Sequence, residues 1–223
     1  MRKNSVHQSE MMNVTKAVIF DCDGVMFDTV KANTAYYNRV LHHFGQPEMT
    51  PVQFDFIQMH TVGESISFLF GDNESIQAAQ AYRDLMSYEP FYDLMEIEPD
   101  LKPLLKKIGS QFITAIATNR SDTIGRVLEV HGLDGYFDLV VSSLDVPRPK
   151  PHPDPLLKVT DYFNIGPHQA IYIGDSELDQ QAAQAAGMPL IAYRNRSLTA
   201  AAHIDRLNEL ELLLDSEQTL FSG

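Results

Sequence analysis

The chain is expected to fold as an α/β protein, a doubly wound parallel sheet carrying an inserted helical domain. Short runs rich in Val, Ile and Phe alternate with helical patterns over most of its 223 residues. Polar, chemistry-bearing residues gather where those runs end, and one stretch, 30–97, breaks the alternation with helical patterns alone. The length suffices for one large core, or for a core with a smaller domain set into it.

In chain order, 1–13 is polar, lacks the apolar run of a signal peptide, and reads as a loose tail. The first strand, 14–20, is a continuous apolar run ending at Asp21, as buried parallel strands read. Further strands are expected at 112–117, 139–142, 170–173 and 189–193, separated by helices at 101–108, 123–131, 155–163 and 178–186. Such alternation implies crossovers that lay helices on both faces of the sheet. The insertion carries helical patterns at 31–44, 63–70 and 74–86, with expected joints at Asp28-Thr29 and at Glu96 to Pro99. The core is thus read as 14–29 together with 98–223.

Composition narrows the function. A formal charge of −13 and no Lys/Arg-rich stretch argue against a nucleic-acid partner. An anionic substrate would then need a local cation and lysine to reverse the sign of the field. Cys22 is the sole cysteine, so no intrachain disulfide forms, which fits a reducing cytoplasm. No stretch approaches a membrane span of ~20 apolar residues, so no membrane partner is expected. The oligomeric state is left between monomer and homodimer.

In an open parallel sheet, reactive groups collect beyond the carboxyl ends of the strands. Asp21-Cys22-Asp23-Gly24 and Asp28 follow the first strand, and Thr118-Asn119-Arg120 the second. Arg148 and Lys150-Pro151-His152-Pro153-Asp154 lie beyond the third, and Gly174-Asp175-Ser176-Glu177-Leu178-Asp179 follows the fourth. Carboxylates, a hydroxyl and an ammonium therefore converge from four segments. Isolated Asp-x-Asp would read as a helix cap; four such elements in company read as a catalytic site.

These elements, in this order, resemble the four motifs of the haloacid-dehalogenase-type hydrolase superfamily, near its phosphoglycolate-phosphatase and β-phosphoglucomutase-like branch. The resemblance implies a Rossmann-like core with a helical cap at 30–97, and a Mg²⁺-dependent phosphatase acting on a small phosphate monoester. It implies Asp21 as nucleophile and Asp23 as general acid and base. Mg²⁺ would be held by Asp21, Asp175 and the backbone carbonyl of Asp23. Thr118, the Asn119 backbone N–H and Lys150 would bind the phosphoryl oxygens, with Asp179 and Ser176 in support and Gly24 making the tight turn.

Other residues stay open at this stage. Arg120 and Arg148 either hold a second substrate anion or form surface ion pairs, and Asp28 either sets the cap hinge or caps a helix. His60 and Thr61, with Glu64, either read the substrate or belong to a surface loop. Cys22 is expected to be a packed thiol. A phosphomutase of the same family shares Asp21 and Asp23 and is the nearest alternative. A phosphate-binding regulatory protein is the more distant one.

Overall fold

The computed structural model describes residues 15–218. The expected tail, 1–13, and the first residue of the expected first strand, Val14, lie outside them. Six parallel strands form the main sheet: β1 (Ala17–Phe20), β4 (Ile113–Ala117), β5 (Leu139–Val141), β6 (Ala170–Gly174), β7 (Leu190–Tyr193) and β8 (Ala202–Ile204). Their order across the sheet is β5-β4-β1-β6-β7-β8, so β1 lies between β4 and β6. β2 (Phe27–Asp28) and β3 (Glu96–Ile97) make a separate two-stranded antiparallel ribbon.

Successive strand residues feed opposite faces, as the period of two requires. Val18 and Phe20 join Ile116, Ile171, Ile173 and Ile191 in one apolar cluster. Ala17 and Ile19 join Ala115, Ala117, Tyr172 and Ala192 in the other. The helices α6 (Leu101–Ile108), α7 (Ile124–Val130) and α10 (Glu209–Gln218) cover the first face, while α8 (Asp154–Tyr162) and α9 (Glu177–Ala186) cover the second. In α6 the buried residues are Leu101, Leu104, Leu105 and Ile108, one face at helical spacing. The doubly wound parallel sheet expected from the alternation is therefore present.

Between the ribbon strands the chain makes five helices: α1 (Val30–His43), α2 (Pro51–Met59), α3 (Val62–Phe70), α4 (Asn73–Leu85) and α5 (Glu89–Tyr92). Three matched the helical patterns; α2 and α5 were missed. In α2 the sequence PVQFDFIQM mixes β-branched and aromatic residues and buries Ile57 alone, so no clear apolar stripe announces it. What fixes it is its start, where Thr50 accepts the Gln53 N–H and Gln53 reaches back to Thr50, with Pro51 in the first turn. β8 and α10 lie beyond the last expected strand, and the ribbon strands are only two residues each.

Asp28 sits at the joint between the ribbon and α1. It lies in the ribbon opposite Glu96, and its Oδ1 accepts the Val30 N–H at the start of α1. Lys31 and Glu96 form an ion pair beside this joint.

Candidate active site

Strand order explains how distant residues meet. Asp21 follows β1, Thr118 follows β4 and Asp175 follows β6, and these are three neighbouring strands. Lys150 arrives from the loop between β5 and α8. Its ammonium donates to Tyr172 Oη at 2.9 Å and lies 2.8 Å from Asp21 Oδ1 and 2.7 Å from Asp179 Oδ1. All four side chains are buried. The Cys22 N–H also donates to Asp21 Oδ1, at 2.7 Å. Asp21 Oδ2 accepts no protein hydrogen bond among the described residues.

Asp179 serves as the anchor of this group. Its Oδ1 accepts from Lys150 and from the Tyr172 hydroxyl at 2.7 Å, while its Oδ2 accepts from the Ser176 hydroxyl at 2.6 Å and the Ser176 N–H at 3.0 Å. Ser176 in turn caps α9 by accepting the Asp179 N–H. Burial pushes the Asp179 carboxyl up, but Lys150 and the hydrogen bonds from Lys150, Ser176 and Tyr172 together outweigh it and leave the carboxyl below its usual range. For Lys150, burial is outweighed by Asp179 and Asp21, so the ammonium holds its proton more tightly than an ordinary lysine.

Asp21 and Asp175 behave the opposite way. Burial raises the Asp21 carboxyl to about 7 even against the pull of Lys150. Asp175 is raised well above its usual value by burial and by the charges of Asp179 and Asp21. Oxygens of Asp21, Asp175 and Asp179 lie within 4.8 Å of one another. Because both oxygens of Asp179 are engaged by Lys150, Tyr172 and Ser176, Asp21 and Asp175 are the carboxylates left for a cation. Two close, unfavourably buried carboxylates fit a hard divalent ion with oxygen ligands. Gly24, at φ +85°, preserves that space, since a Cβ there would stand 2.2 Å from Asp175 Oδ2.

Thr118 is buried, and its Oγ1 accepts the Arg120 N–H at 3.1 Å, which leaves its own proton for an incoming oxygen. The Asn119 side chain does work that sequence did not suggest. It bonds both polar groups of the Lys150 backbone, at 2.9 and 3.0 Å, and donates to the Met59 carbonyl of the insertion at 3.2 Å. The Asn119 amide thus fixes where Lys150 enters the site and ties the insertion to it.

Arg120 lines the cavity and forms an ion pair, but a buried one and not the surface pair that was the other reading. Its guanidinium is buried and grips Asp23, with Nε 3.1 Å from Oδ2 and Nη2 2.6 Å from Oδ1. Arg148 instead forms an exposed fork with Asp154 and does not line the cavity. Cys22 is buried, with its thiol pushed well up by burial, as a packed thiol should be.

Above these groups lies a cavity of about 540 Å³. Asp21, Asp23, Thr118, Lys150 and Asp175 line its floor, and Tyr36, Phe54 and His60 of the insertion line its roof. His60 stacks on Phe56 at 3.7 Å, and its Nδ1 lies 2.8 Å from the Phe56 carbonyl, so Nδ1 carries a proton and Nε2 is the remaining nitrogen. Thr61 is spent on Glu64 at the start of α3 and does not line the cavity. Tyr172 is the buried residue that sequence reading missed. It sits in an apolar strand, where a tyrosine reads as core, and only coordinates reveal its hydroxyl on Lys150 and Asp179.

The profile of the family described as haloacid dehalogenase-like hydrolase matches residues 18–193. A phosphoglycolate phosphatase of Nitrosospira multiformis is 32% identical over 185 residues, 77% of this chain and 80% of that protein. The pyrophosphatase PpaX of Bacillus velezensis is 29% identical over 184 residues, 77% and 79% of the two chains. The crystal structure of a HAD-superfamily hydrolase, subfamily IA, variant 1, from Geobacter sulfurreducens superposes with a TM-score of 0.74 at 36% identity, over 90% of this chain and 97% of that one. With four motifs converging on one buried site and a profile spanning the core, the chain belongs to the haloacid dehalogenase-like hydrolases, on their phosphatase branch.

Proposed function

We propose that the protein hydrolyses a small-molecule phosphate monoester, with Asp21 as the nucleophile and an aspartyl phosphate as intermediate. The observation that carries this reading is the buried contact of Lys150 with both Asp21 and Asp179 at the end of β1, with Thr118 from the neighbouring strand beside it. An ammonium anchored on one carboxylate and touching another is placed to neutralise a phosphoryl group as it reaches Asp21.

In the first step Asp21 Oδ2 forms a bond to phosphorus while the ester P–O bond breaks, and the leaving oxygen takes a proton from Asp23. In the second, water gives a proton to Asp23 and attacks the same phosphorus, the P–O bond to Asp21 breaks, and inorganic phosphate departs. Lys150, the Thr118 hydroxyl and the Asn119 N–H balance charge on the transferring oxygens throughout. Mg²⁺, held by Asp21, Asp175 and the Asp23 carbonyl, would supply electrostatic compensation for the phosphoryl charge. The helical insertion, 30–97, serves as a cap that roofs the cavity and selects the substrate.

The names of the relatives suggest where to begin: phosphoglycolate and pyrophosphate, followed by sugar phosphates. Purified protein with Mg²⁺ should release phosphate from at least one of the monoesters, with pyrophosphate, an anhydride, as the contrast, and Asp21→Asn should reduce that release below about one part in 10⁴. Retained turnover in a folded Asp21→Asn variant would refute the nucleophile. Phosphate release without an added sugar bisphosphate separates this reading from a phosphomutase.

A further inference from the structure

We infer that Arg120 is a positioning residue for the proton-handling Asp23, and that it is not a ligand for the substrate. The inference rests on the reading of Asp23 as general acid and base. Arg120 follows Thr118 and Asn119 on the loop after β4, where a cation beside a phosphate site invites assignment as an anion binder. Arg120 borders the cavity, but three of its five N–H donors are already spent within the protein. Nε and Nη2 are both committed to the two oxygens of Asp23, and Nη1 donates to Thr123 Oγ1 at 3.1 Å. The guanidinium carbon lies 5.5 Å from the centre of the Tyr88 ring, beside α5. The Arg120 side chain is only 6% exposed and that of Asp23 18%.

Each contact constrains a different freedom. The bidentate fork fixes the plane of the Asp23 carboxylate, which a single-point contact would leave free to rotate. The Thr123 hydroxyl fixes the guanidinium from the far side, and the Tyr88 ring packs on it from the insertion side. A carboxylate has about four lone-pair sites, so each Asp23 oxygen keeps acceptor capacity that the fork does not use. Asp23 can therefore be oriented by Arg120 and still exchange a proton with a leaving oxygen or water. The geometry also joins the seat of the insertion, through Tyr88, to the orientation of the acid.

A series of phosphate monoesters with graded leaving groups distinguishes orientation of an acid from binding and from general structural support. In Arg120→Met, kcat/KM for alkyl phosphates should fall about 100-fold, whereas p-nitrophenyl phosphate, whose leaving group needs no proton, should hold to within about threefold. Arg120→Lys, which keeps the charge but offers no planar fork, should recover about tenfold of the alkyl loss. Asp23→Asn on the same series should show the same selectivity more strongly. If Arg120→Met does not fold, Arg120→Lys and Thr123→Val carry the test, each with a loss confined to alkyl esters.

Equal losses on all esters, or a rise in KM limited to substrates bearing a second anion, would overturn the inference. If Asp23→Asn shows leaving-group selectivity and the Arg120 and Thr123 variants do not, the Arg120 inference alone falls. If Asp23→Asn shows none, the acid–base reading of Asp23 falls and takes the inference with it.

Discussion

The floor of the cavity and its roof are built by different physics. On the floor, Asp21, Lys150, Tyr172 and Asp179 are buried and share donors and acceptors so closely that none can change without leaving a partner stranded. In the roof, aromatic contacts dominate: Tyr36 meets Tyr37, Tyr88 and Phe91, and His60, Phe56 and Phe68 form a stack. Several of its polar side chains are occupied at helix starts, as with Thr50 and Gln53, Thr61 and Glu64, and Asp72 with the Ser75 N–H. Interlocked charges fix one chemistry, whereas packed rings can be exchanged for rings of another shape with modest cost. A floor of this kind keeps its reaction while the roof is free to change its substrate.

The largest expected effect tests the floor. Lys150→Met should lower kcat by about 10³ on every ester alike, because it removes charge compensation at the reacting group. It should also cost about 3–5 kcal/mol of stability, since Asp21 and Asp179 would be left buried without their cation. Denaturant unfolding and steady-state kinetics on the folded protein measure the two losses. Because Lys150 holds its proton more tightly folded than unfolded, its contribution to stability should be complete below the ordinary lysine pKa and fade only as pH rises beyond it. Asp179, lowered by its partners, contributes above the ordinary aspartate pKa and loses that contribution as pH falls.

Asp175 carries the opposite sign. With its carboxyl raised, the folded state binds a proton that the unfolded state has released, so metal-free stability should fall as pH rises above the ordinary aspartate value and level off beyond the raised one. Asp175→Asn removes that penalty. The variant should gain about 1 kcal/mol or more over wild type at pH 8 without metal, and little at pH 4. Added Mg²⁺ should raise the melting temperature of wild type but not of the variant, and chelation should stop wild-type turnover reversibly. A less stable Asp175→Asn at pH 8 would mean that the carboxylate is compensated by something other than a cation.

Most of the floor was legible in the sequence because its residues follow strands, and strands are announced by short apolar runs. Asp21, Thr118 and Asp175 could be placed at one end of the sheet, while the adjacency of their three strands came only with the structure. Tyr172 was not legible, because a tyrosine inside Ala-Ile-Tyr-Ile looks like core, and its polar use depends on a lysine 22 residues away. Arg120 was read as a choice between anion binding and surface pairing, since nothing in sequence reveals that its fork closes on Asp23. In the roof, α2 escaped for want of an apolar stripe, and the ribbon strands Phe27–Asp28 and Glu96–Ile97 are too short to show a period. Thr61 was drawn toward the substrate by its neighbourhood, while its hydroxyl belongs to a helix start.

His60 sharpens the comparison from the roof. With Nδ1 donating to the Phe56 carbonyl, Nε2 is the nitrogen available to a ligand in the cavity. His60→Ala should change kcat/KM by about tenfold, and by different factors for different esters, because a roof contact acts on the part of the substrate that varies. Uniform loss across the panel, like that expected for Lys150→Met, would place His60 with the floor and erase the distinction.

The smallest effect concerns how the roof is fastened. Arg83 of α4 reaches Asp122 of the core at 2.8 Å, with side chains 22% and 60% exposed, and Arg126 of α7 reaches Glu89 of α5 at 3.0 Å. Solvent screens such pairs, and exposed ion pairs are typically worth about 0–1 kcal/mol. A double-mutant cycle on Arg83→Met and Asp122→Asn should therefore give a coupling of no more than about 1 kcal/mol, weakened further by salt. A value above about 2 kcal/mol would make this link comparable to the buried pairs below it. The roof would then be locked to the floor by charge, and exchanging its rings would disturb the chemistry that the present geometry keeps separate.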